Sequence, residues 1–455
     1  MIELPLKSPP PPLSPVTFDV ARPTVTELSN GLKVIVFENQ RLPLVNVRLG
    51  FFSGDVHDPN GHTGLTSAMA SLLGEGTENY SSRQFAAKIE RLGASIGSSS
   101  SDDFTTLSGS SLSLYLNELL ELLAEMLLRP SFPEDELDLY RRNTVDHLKF
   151  QRSQPPFLAN EQASRLIYGN HPYSVVSPTP ADIESIGREH LVKLHRERLV
   201  PNNAILLVVG DVETRDLIPE IEERFGQWQP RPIPDHVATE PVPAAGRTLA
   251  IVDRPGSAQS NILLGNLAIR RTDPDYFRLL VMNQVLGAGA SSRVFMNLRE
   301  EKGYTYGAYT RINARLLAGD LEATAEVRND VTGDSLREFY YELERIRTDR
   351  VGDDELNDAK NFLTGVFPIR VETQEGLTGM LFNQYLYGLD EDYLQTYREK
   401  IAAVTSDDVL EAARKYVRPD EMAMVIVGDA EAVRPQAAGF AEHIEIFDTD
   451  GSKIG

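Results

Sequence analysis

Few residues of this chain stand at spacings that could do chemistry, and each such spacing also has a plain structural explanation. His57 and His62 lie in FSGDVHDPNGHTG beside Asp55 and Asp58. Loops of imidazole and carboxylate can hold a metal ion. Gly, Asn, Asp and Pro at this density are also what tight turns require, and turn chemistry accounts for the segment. Ser67 and Ser71 lack the G-x-S-x-G elbow that exposes a hydrolase nucleophile. Gly287-Ala288-Gly289 has the glycines of a phosphate cradle, but neither a Lys-Ser/Thr after it nor a strand before it, so it does not read as a nucleotide site. Arg299 offers a planar fork of donors and Tyr306 a phenolic donor, groups suited to a carbonyl, a carboxylate or a developing oxyanion. By residue type alone, Arg299 reads as a helix-surface partner of Glu300 or Glu301. Tyr306 reads as a strand residue with a solvated hydroxyl, sharing a face with Tyr304 by alternation.

The elements that position these groups come in two copies. Ile183 aligns with Ile401, Pro201 with Pro419, and Gly210-Asp211 with Gly428-Asp429, at a constant offset of 218. Each copy reads as a helix, a Pro-containing turn and a buried apolar strand. Ser81-Ser82-Arg83 with Gly93 recurs as Ser291-Ser292-Arg293 with Gly303, and the run from Phe132 to Leu137 recurs from Val351 to Leu356. The chain therefore divides into a Pro-rich arm (1–27), a first domain (28–228), a Pro-rich linker (229–246) and a second domain (247–455). In the first half, residues 32–37 and 44–52 read as strands and 63–73, 81–92, 114–128 and 133–151 as helices. Strands cluster apart from helices, which predicts an α+β fold: two homologous domains, each a mostly antiparallel sheet covered by helices.

Composition narrows the function. The 455 residues carry 45 Lys and Arg against 67 Asp and Glu, a formal charge of −22, and no cysteine. Such acidity opposes phosphate-backbone binding. Lack of cysteine excludes disulfides, thiol nucleophiles, iron–sulfur clusters and Cys-ligated zinc. The first 15 residues show no signal peptide, so the chain reads as cytoplasmic as written, or periplasmic if a leader has been removed. No run of about 18 apolar residues predicts a transmembrane helix.

Residues 64–77, GLTSAMASLLGEGT, resemble the pitrilysin/insulinase (M16) family of inverted zinc peptidases, whose first-half helix runs G-L-x-H-x-x-E-H-x-x-x-x-G-T. Gly64, Leu65, Gly76 and Thr77 match in place. The family's two histidines bind zinc from one helix face and its Glu is the general base. Those three positions are Ser67, Ala70 and Ser71 here, and the family's third ligand, a Glu about 76 residues further on, falls at His147. Hydroxyls are poor zinc ligands, so the resemblance implies a lost metal site and no cofactor in this chain.

The second half is similar to the family's other conserved block, where a Gly-rich turn precedes S-S-R-L-F-x-x-L-R-E-x-x-G-x-x-Y. In paired members that block supplies an Arg and a Tyr that grip substrate and stabilise the tetrahedral intermediate; here they correspond to Arg299 and Tyr306, with Gly287 and Gly289 in the substrate-proximal turn. The resemblance spans residues 28–431. It implies half of a clamshell: the non-catalytic subunit of a bacterial heterodimeric zinc metallopeptidase, whose H-x-x-E-H partner holds the zinc. The alternatives are an inactive scaffold or assembly protein of the same fold, or a homodimeric peptide-binding module.

Overall fold

The computed structural model describes residues 20–235, 238–441 and 443–455. Most of the arm lies outside the described residues. Its last part does not behave as an arm, because Thr24–Glu27 alternates as Thr-Val-Thr and pairs antiparallel with the next strand as β1. The first sheet continues with β2 (Lys33–Glu38), β3 (Leu44–Phe51), β4 (Ser95–Ser100), β5 (Thr105–Leu112) and β6 (Ala204–Gly210). The second contains β7 (Thr248–Asp253), β8 (Gln259–Leu267), β9 (Thr305–Ala314), β10 (Gly319–Arg328), β11 (Ala423–Gly428) and β12 (His443–Phe447).

The duplication is visible in the strand order. The sheets run β1-β2-β6-β3-β5-β4 and β12-β7-β11-β8-β10-β9, so five strands of each occupy corresponding places. The apolar runs AILLVVG and AMVIVG become β6 and β11, both buried along their whole length inside the sheets, as strands covered on both faces must be. Each enters from a short turn, Pro201–Asn203 or Pro419–Glu421. The sixth strand breaks the symmetry: β1 joins antiparallel from the N-terminal side, while β12 joins parallel from the C-terminal side.

Helices α1 (Leu65–Leu72), α2 (Ser82–Arg91), α3 (Leu116–Leu128) and α4 (Glu134–Arg152) fall within or close to their expected segments. Side chains from α1, α3 and α4, such as Met69, Leu123 and Leu137, close the first core over β2, β3 and β6.

The halves also exchange helices across the linker. Helix α5 (Pro155–Tyr168) precedes the linker, yet Leu158, Ala163 and Ile167 pack on Leu263 and Val425 of the second sheet. Reciprocally, the helix Gln374–Leu386 lies on the first sheet, where Gln374 Nε2 donates to the carbonyls of Leu44 (2.9 Å) and Val209 (2.8 Å). A glycine admits each visitor. A Cβ on Gly50 would stand 2.7 Å from both Leu386 and Phe382, and one on Gly265 would stand 2.6 Å from Ile167. Gly50 pairs with Ile205 of β6 and Gly265 with Ala423 of β11, which are corresponding positions of the repeat.

A polar clasp joins the β4–β5 and β9–β10 hairpin tips, one from each half. Arg315, in the β9–β10 turn, pairs with Asp102 of the β4–β5 turn and with Asp320 (3.2 Å), and its guanidinium lies 3.9 Å over the ring of Tyr173. Asp103 accepts the Leu316 N–H (3.1 Å) and the Tyr173 hydroxyl. A buried polar network of this kind, paired across both halves, favours one arrangement of them.

Candidate functional site

The resemblance to a zinc site ends at α1. Gly64 turns the chain with φ +87°, and Asp58 caps the helix start by accepting N–H bonds from Gly64 (2.6 Å) and Thr66 (2.8 Å). Ser67 points to Asp55, 3.2 Å from each carboxylate oxygen, and its hydroxyl is 2.7 Å from that of Ser100. Ser100 itself donates to Asp55 (2.8 Å). Ala70 is fully buried, with its carbonyl accepting from Ser98 (2.6 Å). Ser71 is exposed, and His147 is exposed on α4 with its ring beside Phe150. The four motif positions therefore do not form a ligand set: one hydroxyl is committed to a carboxylate, one position has no donor atom, and two side chains face solvent. The residues present do not fit zinc. Among the described residues no group of three or more His, Asp or Glu could hold a metal ion.

The turn-forming explanation of the neighbouring loop agrees with its contacts. His57 Nδ1 accepts the Gly54 N–H (3.1 Å), whereas His62 stacks 4.2 Å from His190. What the sequence did not disclose is the cluster built in place of the metal. Asp55 is drawn under α1 by two serines, and its pKa is raised from 3.8 to about 7, first by desolvation and then by the charge of Asp58, against the pull of Ser100 and Ser67. The serine-rich run of β4 was its one visible sign.

The second-half block builds a different surface. After the helix Tyr276–Leu286, Gly287 lies so close to β9 that a Cβ would be 2.4 Å from the Thr310 hydroxyl. Gly289 faces Gln284. Arg293 anchors the next turn through a two-pronged pair with Glu355 (2.7 and 2.8 Å). Residues Met296–Glu301 then widen into a π-turn, closed by Lys302 N–H donating to Asn297 O (3.0 Å) and by Gly303 at φ +65°. Such widened turns are uncommon and displace side chains from their helical directions. Arg299, on this turn, is half-exposed; its Nε lies 3.5 Å from Glu300 and its guanidinium sits 4.8 Å over Phe295. Phe295 packs against Tyr309 (5.6 Å).

Tyr306 is 92% exposed. The β9–β10 register steps from Ala308↔Ala325 to Thr305↔Val327, which inserts one extra residue into β9. Thr305 Oγ1 pins this bulge by donating to the Glu326 carbonyl (2.7 Å) and accepting the Gly307 N–H (3.1 Å). A bulge reverses the in–out phase of the strand. Tyr304 precedes the strand and packs against the core, so it does not share a face with Tyr306 as alternation had it. Arg299 and Tyr309 thus both rest on the buried ring of Phe295, and Tyr306 stands exposed on the same edge strand, β9.

Two family models match the chain: Insulinase (Peptidase family M16) over residues 33–175, and Peptidase M16 inactive domain over residues 185–363. An uncharacterized zinc protease of Streptomyces coelicolor is 22% identical over 421 residues, covering 90% of this chain and 91% of its own. Helicobacter pylori has both a non-peptidase homolog, YmxG (22% identical, 87% of this chain, 91% of its own), and a zinc protease, PqqE (24%, 88% and 91%). Among solved structures, a peptidase M16 inactive domain from Pseudomonas fluorescens superimposes with a TM-score of 0.84 at 26% identity, covering 90% of this chain and 98% of that one.

Proposed function

The chain belongs to the insulinase family of peptidases, M16, and from that premise we propose that it is the non-catalytic subunit of a two-chain zinc metallopeptidase. The observation that carries this reading is a contrast within one molecule. The zinc-motif helix has been rebuilt around a Ser67–Ser100–Asp55 cluster, while Arg299 and Tyr306 are retained and held outward on a π-turn and a bulge. An exposed tyrosine held by a bulge stabilises nothing in its own chain, so its place is better explained by something that docks on it. The coexistence of a zinc protease and a non-peptidase homolog among the Helicobacter pylori relatives agrees with a division of labour between chains.

In this proposal an intact H-x-x-E-H helix in the partner would hold the zinc, which would supply a Lewis acid for the attacking water and the scissile carbonyl. The domains 28–228 and 247–455, joined by 229–246, form one wall of a peptide chamber, with Gly287 and Gly289 lining the approach. Arg299 binds a substrate carbonyl or carboxylate through its fork. Tyr306 donates its hydroxyl to the oxygen that gains charge in the tetrahedral intermediate. Closure against the partner excludes water and strengthens both contacts.

A scaffold without substrate is the second reading, and the pairing of Arg299 with Glu300 favours it, since that pair occupies the guanidinium without any ligand. Co-expression with an H-x-x-E-H relative from the same genome separates the two. A mixed complex that digests a peptide library, and loses turnover with Arg299→Ala while still assembling, supports the subunit. Full turnover by that variant supports the scaffold.

A further inference from the structure

The second half holds a cavity of about 460 Å3 whose lining runs against the charge of the chain. It is walled by the helices Tyr276–Leu286, Gln374–Leu386 and Tyr393–Ala403 and by the end of the helix Asp353–Glu372. Arg271, Arg370, Tyr276, Tyr393 and Tyr397 line it, and no Asp or Glu does, in a protein with 67 acids and 45 bases. Arg311 also lines it, but is already within 3.7 Å of Glu322.

The two remaining arginines have no such partner. Arg271 Nη2 donates to the Tyr393 hydroxyl (2.7 Å), and the guanidinium lies 3.8 Å over the ring of Tyr276, which fixes its plane. No carboxylate among the described residues lies within ion-pair distance of Arg271 or Arg370. Both arginines and Tyr397 line the same cavity. The Tyr276 and Tyr397 hydroxyls likewise make no hydrogen bond among the described residues. An adjoining cavity of about 520 Å3 shares Arg271, Tyr276 and Tyr393. Its acids are already engaged: Asp390 with Lys400 (3.2 Å), Asp408 with Arg278 (2.9 Å), and Asp273 with the Asp275 N–H (2.8 Å).

We infer that this cavity binds a small anionic ligand through an oxyanion group, carboxylate or phosphate, held between Arg271 and Arg370 with tyrosine hydroxyls as further donors. A guanidinium preoriented by stacking gives two parallel N–H donors to a planar or tetrahedral oxyanion. A concave wall that carries arginines and no acid concentrates the positive potential that draws the anion in. The volume is that of a small-molecule site. The inference stands apart from the paired-subunit reading, because neither Arg299 nor Tyr306 lines the cavity.

The test is titration calorimetry on the full chain at low salt, with inorganic phosphate in one arm and succinate in the other. Saturable binding of one probe is expected, and which arm binds identifies the oxyanion. Arg271→Gln and Arg370→Gln should each weaken it by about tenfold or more, the loss that accompanies one charged hydrogen-bonding partner. If Arg271→Gln fails to fold because its stacking is lost, Arg370→Gln on the exposed end of its helix still decides. No binding of either probe at millimolar concentration, or equal affinity in wild type and Arg370→Gln, overturns the inference.

Discussion

Replacing Asp55 by Asn removes a charge that the fold holds at a cost, and the size of that cost follows from the site. Asp55 sits under α1, accepts from Ser67 and Ser100, and has its pKa raised from 3.8 to about 7, mainly by desolvation. A carboxyl whose folded pKa is raised binds its proton more tightly in the native state. Its contribution to stability is therefore complete below about pH 4 and is lost as pH rises to about 7. A rise of that size sets a ceiling of about 4 kcal/mol on the cost above pH 7. The residue keeps partial exposure, and solvent screening reduces the realised value to about half of that ceiling. Asn preserves an acceptor for both serines, so Asp55→Asn should gain stability over wild type as pH rises. Denaturant unfolding at pH 5 and pH 8 reads the effect: the advantage of Asp55→Asn should be larger at pH 8 by about 1–2 kcal/mol. An equal difference at the two pH values, or a loss confined to pH 8, would show that the cluster does not hold a strained carboxylate.

The other expectations concern the packing and the exposed pair. Gly265→Val places a methyl against Ile167 of the exchanged helix and should cost about 1–3 kcal/mol in denaturant unfolding; a change below about 0.5 kcal/mol, the size of an ordinary surface substitution, would mean that α5 does not bear on β8 as described. Arg315→Met leaves Asp102 and the buried Asp320 without their cation and should destabilise by about 3–5 kcal/mol. Hydrogen exchange should then rise at both hairpin tips, and protection unchanged at residues 101–104 would exclude the clasp. Tyr306→Phe should leave the melting temperature unaltered, because the hydroxyl is solvated and has no partner among the described residues; a melting shift of several degrees would assign Tyr306 a structural role.

Much of the architecture is legible in the chain itself. The constant offset between the two Gly-Asp strands announces the duplication, and the matching order of five strands in each sheet realises it. Buried apolar runs and amphipathic helices are local signals, so α1 to α4 fall within or close to their expected segments. Long-range choices leave no local trace. Nothing around Pro155 says that α5 will cross to the second sheet. That docking is decided by Gly265, a residue more than 90 positions away, which provides the space for Ile167. The strand at Thr24–Glu27 is hidden by the prolines beside it. At the site, loss of the zinc ligands is legible from residue type alone, whereas the Asp55 cluster requires Ser100 to arrive from β4. Alternation misplaces Tyr306 because a single inserted residue, held by Thr305, reverses the phase of β9.

Turnover of the mixed complex bearing Tyr306→Phe tests the central claim most directly, with zinc counted in each chain of the same preparation. A phenol that donates to the developing oxyanion predicts a fall in kcat of about 100-fold, with assembly intact and all zinc in the H-x-x-E-H partner. Wild-type kcat in that variant, or one zinc bound to this chain, would contradict the account.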